Sequence, residues 1–127
     1  MGEITVRGVG ASPGVASGIV VFEPEDAVRA AAAGEDVIFV RMETSSEDVA
    51  ALKVAVGVVA TRGGLTGDAA IVARALKKPC AIGFSTVSVI YSVGLMRIAR
   101  AGEEAFVVRR GDRATLDGSK GTMTFGA

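Results

Sequence analysis

Between Val58 and Pro79 the chain runs from a short apolar stretch, Val58 to Ala60, into a segment with three glycines in seven residues, Thr61 to Gly67. It then enters Asp68 to Lys78, an alanine-rich stretch closed by two lysines and Pro79. A continuous apolar run reads as a buried strand, and the alanine-rich stretch is a strong helix former. Glycine lets the backbone turn sharply and approach other groups closely. The unit is therefore strand, glycine loop, helix, and the rest of the fold has to accommodate it.

The flanking segments supply more strands and two further helices. Ile4 to Gly10 alternates apolar and polar residues as a half-buried strand would, and Ala11-Ser12-Pro13-Gly14 reads as a turn before a second strand, Val15 to Phe22. Pro24, Glu25 and Asp26 precede Ala27 to Ala33, a short helix with Gly34 as its stop. Val37 to Val40 is a buried strand. Thr44, Ser45 and Ser46 precede Glu47 and Asp48, and Val49, Leu52 and Val56 recur at helical spacing, so a capped amphipathic helix is expected. Beyond Cys80 the chain is strand-rich: Cys80 to Ile82, Val87 to Tyr91, Arg97 to Ala99, Ala105 to Val108, Ala114 to Leu116 and Thr122 to Phe125. Mixed strands with about three helices predict an α/β fold.

Length and charge narrow the function classes. A chain of 127 residues, half of them hydrophobic, is expected to form a single domain over 1–127. Lys plus Arg and Asp plus Glu both number 14, so no basic excess points to nucleic acid or an anionic membrane. No apolar run is long enough to span a bilayer, and the first residues lack the pattern of a signal peptide. Met1-Gly2 opens like a myristoylation site, but Val6 breaks the pattern. The one cysteine, Cys80, cannot form an internal disulfide and lies in an apolar run, where a buried, inert thiol in a reducing cytoplasm is expected. The initial Met and a closing hairpin lead us to expect that the 127 residues are the whole product. Histidine is absent. Its absence removes the commonest metal ligand, the usual general base near neutral pH and every imidazole nucleophile.

Chemistry centres on Thr61-Arg62-Gly63-Gly64-Leu65-Thr66-Gly67-Asp68. Glycines next to the unpaired first amides of a helix suit a phosphate or another anion, with Arg62, Gly63, Gly64, Thr66 and Gly67 as candidate ligands. The glycine spacing fits neither a P-loop nor a dinucleotide-binding fingerprint. Asp68 admits a second reading, as the cap of the helix. Thr66 could satisfy a loop amide with its hydroxyl. Arg74 lies in the alanine-rich helix, where it either contacts an anion or a partner's acids or forms part of a solvated face. Arg41 and Glu43 could form a surface salt bridge.

The run GGLTGDAAIVAR, Gly63 to Arg74, resembles the phosphorylation signature of phosphoenolpyruvate-utilising enzymes, Gly-Gly-x-Thr-x-His-Ala-Ala followed by an aliphatic pair and Ala-Arg. Three further stretches follow the order of that family. They are Gly8 to Phe22, the segment Val40 to Leu52 with its Arg-x-Glu-Thr-Ser-x-Glu-Asp pattern, and Leu116 to Gly126. The second stretch is most similar to pyruvate phosphate dikinases. The resemblance implies a swivelling β/β/α three-layer phosphohistidine domain. In the full-length enzymes such a domain moves between a nucleotide-binding domain and a pyruvate-binding barrel, and its histidine carries phosphate between them. Mg2+ and ATP belong to the other domains of those enzymes, so no cofactor and no metal is expected in this one. Asp68 stands at the position of the phosphorylated histidine, and Thr66 at the position that is regulatory in plant dikinases.

The reading that follows is a homologue of the carrier domain that does not carry phosphate, is not catalytically active alone, and binds an anion or a partner through the glycine loop. A second reading makes the chain a component or an excised domain of a working phosphotransferase, with nucleotide-binding and pyruvate-binding domains in trans and Asp68 as a natural or introduced variant. A third is a self-associating structural domain, a homo-oligomer with Val87 to Met96 as its contact surface.

Overall fold

The computed structural model describes residues 3–126; Met1-Gly2 lies outside the described residues. Eleven strands and three helices follow one another as β1 (Ile4–Arg7), β2 (Val9–Ser12), β3 (Val15–Val21), α1 (Pro24–Ala32), β4 (Val37–Arg41), α2 (Val49–Val54), β5 (Gly57–Ala60), α3 (Asp68–Ala75), β6 (Cys80–Ile82), β7 (Val87–Ile90), β8 (Leu95–Ile98), β9 (Phe106–Arg109), β10 (Arg113–Asp117) and β11 (Thr122–Phe125). Eight strands form one sheet in the order β1-β11-β10-β3-β4-β5-β6-β2, and β7-β8-β9 form a second. The stretch β3-β4-β5-β6 is parallel, because α1, α2 and α3 each return the chain to the same end of the sheet.

Each layer buries one face of the large sheet. On the helix side Val37, Phe39, Val58 and Cys80 pack against Ala27, Ala51, Leu52, Ala69 and Ala73. On the other side Ile38, Val40, Val59 and Leu116 pack against Val87, Val89, Met96, Ile98 and Val108 of the small sheet. This is a β/β/α arrangement. It also explains the unbroken apolar run of β4, where Val37, Ile38, Phe39 and Val40 are all 0% exposed, since successive side chains go alternately to the two cores.

The expected strand Ile4 to Gly10 is two strands. β1 pairs with β11 and β2 pairs with β6, at opposite ends of the sheet order, and the single residue Gly8 joins them. The sheet must curl back on itself for this to happen, and the Gly8 amide donates to the Gly121 carbonyl at 2.7 Å across the join. Ala11 and Ser12 extend β2 rather than turning, so the turn is confined to Pro13-Gly14.

Val87 to Met96 is not exposed as one continuous apolar stretch. Val87, Val89 and Met96 belong to the core, with Ser88 facing out between them, and Val93 is the exposed apolar residue of the stretch. Its alternation is that of a strand covering a core rather than of a patch awaiting a partner.

The helices also differ from expectation at their ends. Pro24 is the first residue of α1, so Glu25 and Asp26 fall inside its first turn, where negative charge is favourable. α2 ends at Val54, and a 3-10 turn, Ser46–Asp48, precedes it. α3 stops at Ala75, because Lys77 takes a left-handed backbone (φ 56) and Lys78 swings onto the neighbouring helix. The Lys78 ammonium donates to the carbonyl of Leu52 at 3.1 Å and to those of Lys53 and Ala55, closing the C-terminus of α2. Partial burial holds its pKa below the usual lysine value. Replacing Lys78 by Met keeps the stem and removes the cap, so we expect a loss of about 1–2 kcal/mol in urea unfolding. A loss below about 0.3 kcal/mol would show that water serves these carbonyls equally well.

Candidate functional site

The glycine loop runs from the end of β5 to the start of α3, at the carboxyl edge of the parallel strands, where open α/β sheets leave room for ligands. Its backbone is held at both ends. The Thr61 and Arg62 amides donate to the carbonyls of Arg41 and Met42 at 2.9 and 3.0 Å, and the Gly67 amide donates to the Gly64 carbonyl at 2.9 Å. Arg74 reaches back from the last turn of α3 to the Leu65 carbonyl and, at 3.4 Å, to the Ala11 carbonyl of β2. It is therefore a clip on the loop made from the exposed face of the helix.

Asp68 does not cap α3. Gly67 is the cap residue, in extended conformation and with no side-chain cap bond, and Asp68 is the first helical residue. Its carboxylate is exposed and sits in the favourable field of the helix start. Thr66 is exposed, and no loop amide among the described residues donates to its hydroxyl.

A cleft of about 350 Å³ lies over the loop, lined by Glu43, Thr44, Ala60, Arg62, Gly63, Gly64, Gly67, Asp68 and Ala69. Arg62, the three glycines and Asp68 line it together, and Thr66 does not. A larger hollow of about 680 Å³ lies between α1 and α2, lined by Glu25, Arg29 and Glu47 with Pro24, Val28, Ala32 and Ala50.

The opposite wall of the cleft, Glu43 and Thr44, is set by Arg41. That guanidinium does not pair with Glu43. It donates to the Phe22 carbonyl at 2.9 Å, lies 3.4 Å from Glu23 and 3.7 Å from Asp48, and stacks 4.5 Å from the centre of the Tyr91 ring. The Met42 amide donates to the Tyr91 hydroxyl at 2.7 Å, and the Ser45 amide to the Asp48 carboxylate at 2.9 Å. β4 ends at Arg41, so the strand alternation that would have put residues 41 and 43 on one side is broken, and Glu43 turns to the cleft. The sequence hid this wall because Thr44-Ser45-Ser46 reads as a helix start. The buried, unpartnered hydroxyl of Thr44 has no signature in the sequence.

Cys80, on β6 beneath α3, is fully buried, and burial pushes its thiol up to about 11 against the opposing influence of Arg74. Such a thiol stays protonated and inert at neutral pH. Among the described residues no group of three or more His, Cys, Asp and Glu could hold a metal, and no helix is long and apolar enough to cross a membrane.

Residues 33–121 match the family described as PEP-utilising enzyme, mobile domain. The chain belongs to this family. Among its relatives, pyruvate, phosphate dikinase of Rhizobium meliloti is 40% identical over 124 residues, which are 98% of this chain and 13% of that protein. The dikinase of Entamoeba histolytica is 42% identical over 118 residues, 93% of this chain and 13% of its own length. The chloroplastic dikinase 1 of Oryza sativa subsp. japonica is 41% identical over 124 residues, again 98% and 13%. This mobile domain thus spans about an eighth of the curated relatives it matches. A solution structure of Enzyme I aligns with a TM-score of 0.46 and 23% identity, over 69% of this chain and 29% of that one.

Proposed function

We propose that this chain is a mobile domain that keeps the carrier scaffold but carries no phosphoryl group, and that it acts by binding a partner at the glycine-loop cleft. The observation that carries the reading is the absence of histidine from all 127 residues, with Asp68 at the loop-to-helix junction that the signature gives to the carrier histidine. Imidazole is both a good nucleophile and a good leaving group, so a phosphohistidine can pass its phosphate on. A carboxylate serves as acceptor in enzymes that supply a metal and an electrophilic lysine. The lining of this cleft includes no lysine. The short coverage of the dikinases supports a working context in which nucleotide-binding and pyruvate-binding domains act alongside this one.

The test is phosphoryl transfer from labelled phosphoenolpyruvate, with a dikinase pyruvate-binding domain supplied in trans, to the chain and to its Asp68→His variant. In the variant an imidazole nitrogen attacks phosphorus, the bond from phosphorus to the enol oxygen breaks, and the enolate takes up a proton to become pyruvate. We expect label on the variant alone, in acid-labile form. Label on the unmodified chain would establish an aspartyl phosphate and overturn the reading. Label on neither would show that the scaffold no longer docks to a phosphoryl donor.

A further inference from the structure

We propose that Tyr91 is a positioning residue for the glycine loop, acting through the Arg41–Met42 peptide unit, so that the small sheet sets where the loop stands at the head of α3. The inference goes beyond the reading of the cleft above and does not depend on what Asp68 carries.

A trans peptide is planar and points its carbonyl and its amide in opposite directions. Where β4 ends, the Arg41 carbonyl accepts from the Thr61 amide at 2.9 Å, and the Met42 amide of the same peptide unit donates to the Tyr91 hydroxyl at 2.7 Å. The next carbonyl, that of Met42, accepts from the Arg62 amide at 3.0 Å. Thr61 and Arg62, which open the loop, therefore hang from a segment whose far side is fixed by the 3-10 turn of the small sheet, Tyr91–Val93. Because the peptide unit is rigid, it cannot tilt at one bond and leave the other unchanged. Met42 and Tyr91 both pack against the core between the two sheets. There a hydrogen bond is electrostatically stronger than in water and polarises the next one in the chain. The Arg41 guanidinium, 4.5 Å from the ring centre, fixes the ring itself.

The relay begins near solvent and ends in the cleft. Tyr91 lines a hollow of about 440 Å³ together with Ser92, Val93 and Arg110, and Val93 is 63% exposed. At the other end Arg62 and Gly63 line the cleft beside Asp68. A displacement of the turn thus reaches the cleft through the hydrogen bonds on either side of the Arg41–Met42 peptide.

Site-resolved amide hydrogen exchange on the unmodified chain and on Tyr91→Phe tests this. The substitution keeps the ring over Arg41 and removes the hydroxyl. Rates are taken relative to the Val58 amide, which donates to the Pro79 carbonyl and reports opening of the large sheet. We expect Met42 to exchange about tenfold faster, the worth of a lost hydrogen bond. Thr61 and Arg62 should exchange about threefold faster, at the low end of coupling within one network. Acceleration of Met42 alone overturns the proposal, as does equal acceleration of every amide or of none. Coupling is reciprocal, so the ring must also sense the loop. Tyr91 is the only tyrosine, which makes its ring signals unambiguous. A Cβ on Gly63 lies 3.3 Å from the Ala60 Cβ, whereas one on Gly64 meets nothing within 4 Å. We expect Gly63→Ala to shift the Tyr91 ring signals and Gly64→Ala to leave them in place. Shifts of equal size with both variants, or none with Gly63→Ala, overturn the proposal as well.

Discussion

Gly118→Ala is expected to cost more than about 4 kcal/mol and to leave little folded protein at 37 °C. Gly118 sits in the turn between β10 and β11, where the curled sheet brings that hairpin against β2 and β6. A Cβ there would lie 1.9 Å from the Ser12 carbonyl oxygen, 2.7 Å from the Cys80 amide nitrogen and 3.1 Å from the Pro79 Cα. All three are backbone atoms, so no side chain can rotate away, and the Gly118 amide is itself tied to the Gly14 carbonyl at 2.8 Å. Relief requires moving the hairpin off the edge and breaking the junction that closes the sheet. Gly34→Ala is the matched control, since a Cβ there meets nothing within 4 Å and only its positive φ of 92° is strained; we expect about 1 kcal/mol. Thermal unfolding of the two variants checks the difference, and a loss at Gly118 no larger than that at Gly34 would mean that the hairpin and β2 are not in contact.

Asp48→Ala should be the next most damaging change, at about 3 kcal/mol. Asp48 is 1% exposed, yet it carries a carboxylate between the Ser45 amide and the Arg41 guanidinium. Its removal takes away the cap of the 3-10 turn before α2 and leaves the buried Arg41 Nε facing no counter-charge. Asp48→Asn keeps an oxygen for the Ser45 amide and should lose roughly half as much. Denaturant unfolding with unchanged m-values would measure both. The same variants should shift the amides of Glu43 and Thr44, because Arg41, Tyr91 and Asp48 together hold that wall of the cleft. A loss under about 1 kcal/mol for Asp48→Ala would show that Glu23 and the Phe22 carbonyl suffice for Arg41.

Much of the fold can be read from local chemistry. The apolar runs at Val37 and Val58, the proline and acids ahead of Ala27, and the glycines ahead of Asp68 each find the element expected of them, because burial, helix starts and turns depend on neighbouring residues. The alternation at Val87 to Ile90 also identifies a strand, but its burial depends on a second sheet that no local window contains. Gly8 is similar: an alternating pattern runs through it from Ile4, and only the competing partners β11 and β6 divide that pattern in two.

The cleft shows the same division. The glycine loop, its arginine and the residue at the head of α3 lie within one stretch, Arg62 to Asp68, so the sequence alone locates them and, through the absence of histidine, removes a phosphohistidine from their chemistry. Glu43 and Thr44 lie 18 or more positions earlier than the loop. They meet it because β4 and β5 pair side by side and end together, and because Arg41 turns to Glu23, Asp48 and Tyr91 instead of to its neighbour. Sequence determined which groups are available at the helix start. Tertiary structure decided the charge they face, since parallel strand pairing places a second carboxylate across from Asp68.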